Sequence, residues 1–595
     1  MDRLPVTVRE APLVVWARSG EGLGVGGRAS VPLLDRPGWR ALRADATGLV
    51  LGTLFALLAM TPSVLPRDWL FQAIVSGVSG AAGYGAGAGL GWLVRRTVVY
   101  RRTAVRVRRA VPRRVRFGAW LTLVVAVPLS LLVGLVVASD WQREVRVLVH
   151  LHAQTSAGWL RAMPVIILLA AAIVALFRGL RWVVRGLHRL QHLLLDRWVR
   201  LPHWVAQGVA IVAVALLTVG LFDGVVLRWA LSAADASFSI TNETTPPGVE
   251  QPRGSERSGS PESLSPWDTL GTYGQEFVAG GRSMAQIPEA AGIPEDDVMA
   301  PIRVYVGLEG AKTPQERAAL AVAELERTGA FDRAVLCVIP TTGTGWVNEA
   351  APESLELMYG GDTAVVATQY SYLPSWLSFL FDRDRVGEEG DALIDAVTAR
   401  VDRLPEDDRP RVLVYGESLG TAGGEAAFDG LTDIRDRTDG VLWTGPPNSN
   451  ELWSDLVERR DPGTPEVAPV YADGLVVRFG DAPADLLELA APWLDPRIAY
   501  LMHPSDPVVW WSWELLFARP DWLEEPRGEG VSPAMTWYPV VTFWQVSADL
   551  TNAASPPMGY GHNYGAQLVD AWAVVAPPEG WTAADTERAR AVFLD

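Results

Sequence analysis

Five consecutive residues, Gly416-Glu417-Ser418-Leu419-Gly420, restrict the folds open to this chain more than any other feature. They follow a short apolar run, Val412-Leu413-Val414-Tyr415, and precede small residues, Thr421-Ala422-Gly423-Gly424. That order predicts a strand, a sharp turn and a helix, the setting in which G-x-S-x-G becomes a nucleophile elbow. The flanking glycines let the backbone bend tightly, and the bend lifts the serine hydroxyl to the carboxyl edge of a sheet. The following helix turns the positive end of its dipole toward that hydroxyl. A motif this short also arises by chance, so its partners must carry the assignment.

A serine nucleophile needs a base, most often histidine. Five of the seven histidines (His150, His152, His188, His192, His203) lie in the apolar first part of the chain. Only His503 and His562 share a region with Ser418. One established chain order of a triad is serine, acid, histidine. His562, in Met558-Gly559-Tyr560-Gly561-His562-Asn563-Tyr564-Gly565, has the glycines of a loop that lays an imidazole over a sheet edge. The run Arg497 to Met502 reads as a strand leading into His503-Pro504-Ser505-Asp506-Pro507. Asp506, just past that strand and held between prolines, is the expected acid. Asp495, Asp549 and Asp570 are weaker candidates, and His503 suits a structural or rim position. The oxyanion hole needs two backbone donors. Leu419 supplies one. The Gly/Thr loop after the strand Ala334 to Ile339, at Thr342 or Gly343, is expected to supply the other. That loop has no lysine after its glycines, so it is no phosphate loop. No residue pattern calls for a cofactor or a metal. His188 and His192 stand at i, i+4, but no nearby carboxylate or cysteine completes a site.

The chain has 595 residues, too many for one core, and its charge divides it. Residues 1–230 carry 28 Arg, no Lys and 10 acidic residues, a net +18, whereas the whole chain is −16. Residues 231–595 therefore carry −34. A basic apolar part joined to an acidic part is not the pattern of a nucleic-acid binder. Its arginines punctuate apolar stretches, as in loops of a membrane protein. Five spans are expected: Ala46–Leu65, the glycine-rich Leu70–Val94, Phe117–Ala138, Trp159–Phe177 and His203–Leu227. Arginine-rich and arginine-poor connections alternate along them, ten between spans two and three (Arg95 to Arg116) against Arg67 alone between one and two. This places the N-terminus in the cytoplasm and everything after residue 230 outside. Loss of one weak span would reverse that side. Arg178 to Arg200 reads as an amphipathic surface helix with arginines toward anionic lipid.

The expected organisation is thus a cytoplasmic segment 1–45, a membrane domain 46–230, a flexible Ser/Pro/Gly-rich linker 231–266 and a catalytic domain 267–595. In the last, apolar runs at 303–306, 334–339, 364–367, 411–415, 440–443 and 497–502 alternate with helical stretches such as Pro314 to Thr328. That alternation implies a mostly parallel sheet covered by helices on both faces, with its site at the strand carboxyl ends. Among 25 tryptophans, Trp346, Trp376 and Trp443, with Tyr370, are candidate pocket residues. The apolar stretch Tyr370 to Phe381 reads equally as a lid or as a core helix. The single cysteine, Cys337, falls in a buried strand and reads as core.

These residues also carry a resemblance. Thr61-Pro62-Ser63-Val64-Leu65-Pro66-Arg67, Gly343-Thr344-Gly345-Trp346, Gln369-Tyr370-Ser371-Tyr372-Leu373, Gly445-Pro446-Pro447, Ser505-Asp506-Pro507 and Gly559-Tyr560-Gly561-His562 together resemble a bacterial, actinobacterial-type α/β-hydrolase family. That family has an N-terminal multi-span membrane region, a transmembrane α-helical bundle, followed by a C-terminal α/β-hydrolase catalytic domain. Glu417 stands where the family often has an apolar residue, and Thr341 where it has proline. The resemblance implies hydrolase chemistry without a substrate. The expectation is a membrane-anchored serine hydrolase that cleaves a lipid or acylated envelope ester, with membrane lipids as its partner. An acyltransferase using the same triad, or a lipid-binding or transport protein without catalysis, are the alternatives. The sequence is silent on oligomeric state.

Overall fold

The computed structural model describes residues 44–97, 111–153, 156–195, 242, 244–381 and 383–594. The fifth expected span, 203–227, lies outside them. Among the described residues the first part forms four α-helices: α1 (Ala46–Leu58), α2 (Trp69–Arg96), α3 (Arg113–Leu148) and α4 (Ala162–Leu195). Small residues let α1 and α2 meet backbone to backbone. A Cβ on Gly87 would stand 2.4 Å from the Thr47 carbonyl oxygen, and one on Gly83 2.6 Å from that of Leu51. Two stretches, Arg114–Leu148 and Gly158–Val183, are long and apolar enough to cross a membrane, and α1 is apolar but shorter.

Two spans differ from expectation. The first ends at Leu58, because Thr61-Pro62 and Pro66 break the helix. The residues that follow fold inward, and Val64 and Leu65 join the core of the sheet region. The fourth continues without a break through Arg178 to Leu195, so the amphipathic stretch is the end of α4 rather than a separate helix.

The second part is built on seven parallel strands: β1 (Ile302–Val306), β2 (Val335–Pro340), β3 (Thr363–Thr368), β4 (Arg411–Glu417), β5 (Gly440–Thr444), β6 (Val477–Gly480) and β7 (Arg497–Leu501). Their order is β1-β3-β2-β4-β5-β7-β6. The helices that matter to the site are α5 (Gly271–Ala279), α6 (Pro314–Thr328), α7 (Ala350–Met358), α8 (Arg383–Val401), α9 (Leu419–Glu425), α10 (Val541–Asp549) and α11 (Gln567–Val575). Alternate strand residues face opposite sides. Val304, Leu336, Val338 and Val366 pack with Ala321, Leu325, Leu393 and Val397 of α6 and α8. Tyr305, Cys337, Ile339 and Tyr415 pack with Phe277, Leu355, Leu568 and Trp572 of α5, α7 and α11. Burial on both faces is why these strands read as continuous apolar runs. Helix α6 starts at Thr313 with a capping box to Glu316.

Strand β6 was not evident from the sequence. Its buried Arg478 interrupts the apolar run, and its guanidinium donates to the carbonyls of Gly474, Leu486 and Ala491. The stretch 244–266, expected to be flexible, is instead hydrogen-bonded to the sheet. Arg303 N–H donates to Glu256 O (3.2 Å), Ser258 N–H to Arg303 O (3.0 Å), and Tyr305 N–H to the Ser258 hydroxyl (3.1 Å). A polar segment can order here because it covers the open edge of β1 through backbone groups, which need no apolar side chain. Cys337 is buried on β2, where the apolar surroundings hold its thiol protonated well above the usual range.

Candidate active site

The strand order reverses between β2 and β4, the place where open parallel sheets bind ligands. Ser418 stands between β4 and α9 at that point with φ 54° and ψ −126°, a strained conformation for a residue with a side chain. The elbow predicted from sequence is present. Ser418 N–H donates to Thr444 O at 2.9 Å, which ties the nucleophile to the end of β5. Gly420 must lack a side chain, because a Cβ there would stand 2.4 Å from the Pro340 carbonyl oxygen at the end of β2.

The expected acid and base are paired. His562 Nδ1 donates to Asp506 Oδ2 at 2.6 Å. Asp506 Oδ2 also accepts from the Tyr564 hydroxyl (2.9 Å), and Oδ1 from Val508 N–H (2.8 Å). Burial alone would raise the Asp506 carboxyl. The His562 charge and these hydrogen bonds outweigh it and hold the group below the usual carboxylate range. For His562, burial works downward, but the Asp506 charge and hydrogen bond, with the Glu417 charge, hold the imidazole above its ordinary 6.5.

Ser418 and this pair both border the end of β5, the first at Thr444 and the second at Gly445. It follows Thr444, has φ +56°, and a Cβ on it would stand 2.4 Å from His562 Cε1 and 3.0 Å from Asp506 Oδ2. Among the described residues no hydrogen bond joins the Ser418 hydroxyl to His562. Such bonds commonly tighten only around substrate.

His503 is a brace. Its Nδ1 donates to Gly561 O at 2.7 Å and its Nε2 faces Gln567 Oε1 at 3.0 Å. Burial lowers its basicity, against the pull of the bonds to Gly561 and Gln567. Ser505 accepts from Gly561 N–H at 2.9 Å, and His562 N–H donates to Ala553 O at 2.7 Å. The loop carrying the base is therefore held from three sides.

Of the expected oxyanion donors, Leu419 opens α9, so its N–H has no acceptor inside the helix. Thr342 N–H is directed instead at Trp346 O at 3.3 Å, closing the turn of its own loop. Gly343 N–H makes no hydrogen bond among the described residues.

The pocket candidates separate. Trp346 lines a cavity of about 500 Å³ with Thr342, Tyr372 and Ser375, beside the oxyanion loop but without any of the three catalytic candidates in its wall. Tyr370 is buried. Trp443 is fully buried under Gly424 of α9, so it is a core residue that supports the elbow and not a pocket wall. The Trp376 side chain lies outside the described residues.

Sequence reasoning left three neighbours unassigned. Tyr564 and Gly445 lay within segments already singled out, and their short spacing from His562 and β5 was the available signal. Glu417 is the third. It is buried, with Oε2 accepting from Asn348 Nδ2 at 2.8 Å and from the Tyr415 hydroxyl. Burial raises its carboxyl, against the pull of the His562 charge and these two donors. Among the described residues, no three His, Cys, Asp or Glu side chains cluster to hold a metal ion.

A seven-stranded parallel sheet with a serine elbow at its switch point and an acid–histidine pair at the neighbouring strand end defines an α/β-hydrolase fold. Residues 302–589 match the model of a family described as an alpha/beta-hydrolase family, and residues 60–281 match that family's N-terminal model. The two matches support an α/β-hydrolase family for this chain, which points to hydrolase activity. No curated protein and no solved structure matches the chain significantly.

Proposed function

We propose that the protein is a membrane-anchored serine hydrolase acting on carboxylic esters. The observation that carries this reading is the His562–Asp506 pair, 2.6 Å apart, at the end of β5 to which the Ser418 elbow is tied. In this reading Ser418 attacks the ester carbonyl while His562 Nε2 takes its proton, and Asp506 holds the imidazole and balances its charge. Leu419 N–H, with Gly343 N–H, stabilises the oxyanion. His562 then protonates the departing alcohol, and water releases the acyl group from Ser418 by the reverse roles.

The membrane part of the reading is supported by α3 and α4, whose large apolar side chains face outward. Phe117, Leu129, Val133, Leu168 and Phe177 are all exposed. Water disfavours such a surface, whereas hydrocarbon accepts it. Orientation draws support from contacts. The connection between α1 and α2 packs into the catalytic domain, where Asn552 donates to Pro66 O (2.9 Å). The end of α3 does so too, with His150 stacked on Tyr560 (5.1 Å). Both are arginine-poor connections, so the catalytic domain shares their side, opposite the run Arg95 to Arg116. With a fifth span at 203–227, that side is extracytoplasmic in a bacterial cell membrane. An ester within that envelope, lipid or acylated, is the substrate class this location favours.

Labelling of membranes with a fluorophosphonate probe tests the chemistry. The native chain should label and Ser418→Ala should not; equal labelling would remove the serine mechanism. Protease treatment of intact cells tests the side. Release of the region beyond residue 242 is expected, and its protection would reverse the topology.

A further inference from the structure

One stacked aromatic cluster runs from the interior of the catalytic region to its surface. Trp511 meets Trp513 (5.3 Å), Trp513 stacks on Phe543 (5.2 Å), and Phe543 meets Trp544 (5.2 Å). Trp511 and Phe543 are buried, but Trp513, Trp544 and the nearby Phe517 are 60, 36 and 79 % exposed. Scattered exposed aromatics are ordinary, whereas three around a single cluster mark an interaction surface.

Its place in the fold says which partner. Val541 of α10 packs on Ala59 and on Val75 of α2, with Phe55, Leu58, Tyr538 and Ala548 around them. Val541, Trp544 and Ala548 follow at i, i+3, i+7, so Trp544 shares the face of α10 that meets the apolar helices. The segment carrying Trp513 and Phe517 is tied to the start of α10. Val540 N–H donates to Leu516 O (3.0 Å) and Trp537 Nε1 to Leu515 O (3.0 Å). Val75 lies six residues into α2, about 9 Å along its axis at the usual rise per residue. With the start of α2 at the outer edge of the membrane, that is just past the ~5–8 Å of headgroup layer outside a hydrocarbon core about 30 Å thick. At the same level Leu70 and Ile74, one turn apart on α2, are 41 and 39 % exposed.

We propose that Trp513, Phe517 and Trp544 seat the catalytic domain in the headgroup layer of the bilayer that α3 and α4 cross. The inference rests on the membrane reading above and deepens it by naming the surface that meets lipid. Tryptophan suits this layer because its ring is apolar and its N–H still reaches water. The seat has a consequence for substrate. A cleft of about 440 Å³ has Trp511, Trp513 and Asn448 in its wall. Asn448 is three residues beyond Gly445, which abuts His562. The rest of that wall is polar, with Arg383, Glu451, Asp455, Glu458 and Glu514, so the part of a lipid it suits is the polar ester end rather than the acyl chains.

The test uses the full-length protein in phosphatidylcholine nanodiscs. Cys337 is the only cysteine and is buried, so a nitroxide can be placed at one introduced cysteine at a time. Phe517→Cys is the probe, Leu129→Cys on α3 the lipid reference, and the exposed Glu587→Cys the water reference. Relaxation by oxygen and by a water-soluble nickel chelate is measured at each. An oxygen-to-nickel relaxation ratio at 517 above that at 587 and below that at 129 is the expected result. If 129 reports lipid while 517 behaves as 587 does, the seat is wrong and the membrane reading stands. If 129 itself behaves as 587 does, the membrane reading fails and takes the seat with it.

Discussion

The sheet and the apolar helices use the same kinds of side chain in opposite ways. In the sheet, Val304, Leu336 and Val366 are inside and fully buried between two layers of helices. On α3, Leu129, Val133 and Val136 are outside, between 55 and 59 % exposed, while the close contacts between α1 and α2 belong to glycines. The sheet region is organised by removing apolar surface from water. Between helices in hydrocarbon that force is absent, and small residues allow the backbone approach that replaces it. The contrast indicates two solvents for one chain, and the junction between them, apolar where Val541 meets Ala59 and Val75, also holds a buried ion pair. Asp549 of α10 accepts from the Ser63 hydroxyl and from Leu65 N–H and pairs with Arg67 at 3.4 Å, both ions fully buried. Burial dominates there, raising the Asp549 carboxyl to about 6 and lowering the Arg67 guanidinium from its usual value.

The largest expected effect lies in the catalytic region alone. Ser418→Ala should reduce ester turnover by on the order of 10⁴-fold or more, measured as kcat/KM, with the fold intact by circular dichroism. A residual rate near that of the native chain would sever the sheet region from its chemistry. Next, Leu336→Ala in the middle of β2 should cost about 2–5 kcal/mol in denaturant unfolding of the catalytic region, by transfer and cavity terms. The matching change on the other side of the comparison is Val133→Asp. If that surface faced water the cost would stay within about 0.5 kcal/mol. In hydrocarbon it should cost about 2–3.5 kcal/mol and reduce the fraction of chain recovered in alkali-washed membranes. Unchanged recovery would dissolve the contrast between the two solvents.

The smallest effect concerns pH. A base works as the neutral imidazole, so kcat/KM should rise with pH through the His562 pKa, which lies above 6.5. Glu417→Gln removes one of the negative charges that hold it there. The acidic limb should therefore move to lower pH, with little change in the plateau. An unmoved limb would leave Glu417 a purely structural partner of Asn348 and Tyr415.

Much of the fold and of the candidate site was legible in the residue pattern, for physical reasons. Strands buried on both faces need unbroken apolar runs, so six of the seven strands were evident. An elbow needs small residues around its serine, so Ser418 stood out. An acid between prolines after a strand, and a histidine between glycines, pointed to Asp506 and His562. What depends on distant partners was not legible. Trp443 looked like a cleft residue and is core, since only packing brings Gly424 of α9 down onto its ring. Thr342 looked like a free donor and closes its own turn. The segment 244–266 has few apolar side chains beyond Val249, Leu264 and its prolines, yet it is ordered by backbone groups of an edge that no local pattern announces.

Local chemistry along the chain thus pointed to a hydrolase, through an elbow that a handful of neighbouring residues can encode. Only the tertiary structure decided that Glu417 faces inward beneath the base, that Gly445 must be bare, and that the loop after α1 is built into the catalytic domain. Each of these is a contact between residues far apart in sequence, and such contacts exist only once the chain has packed.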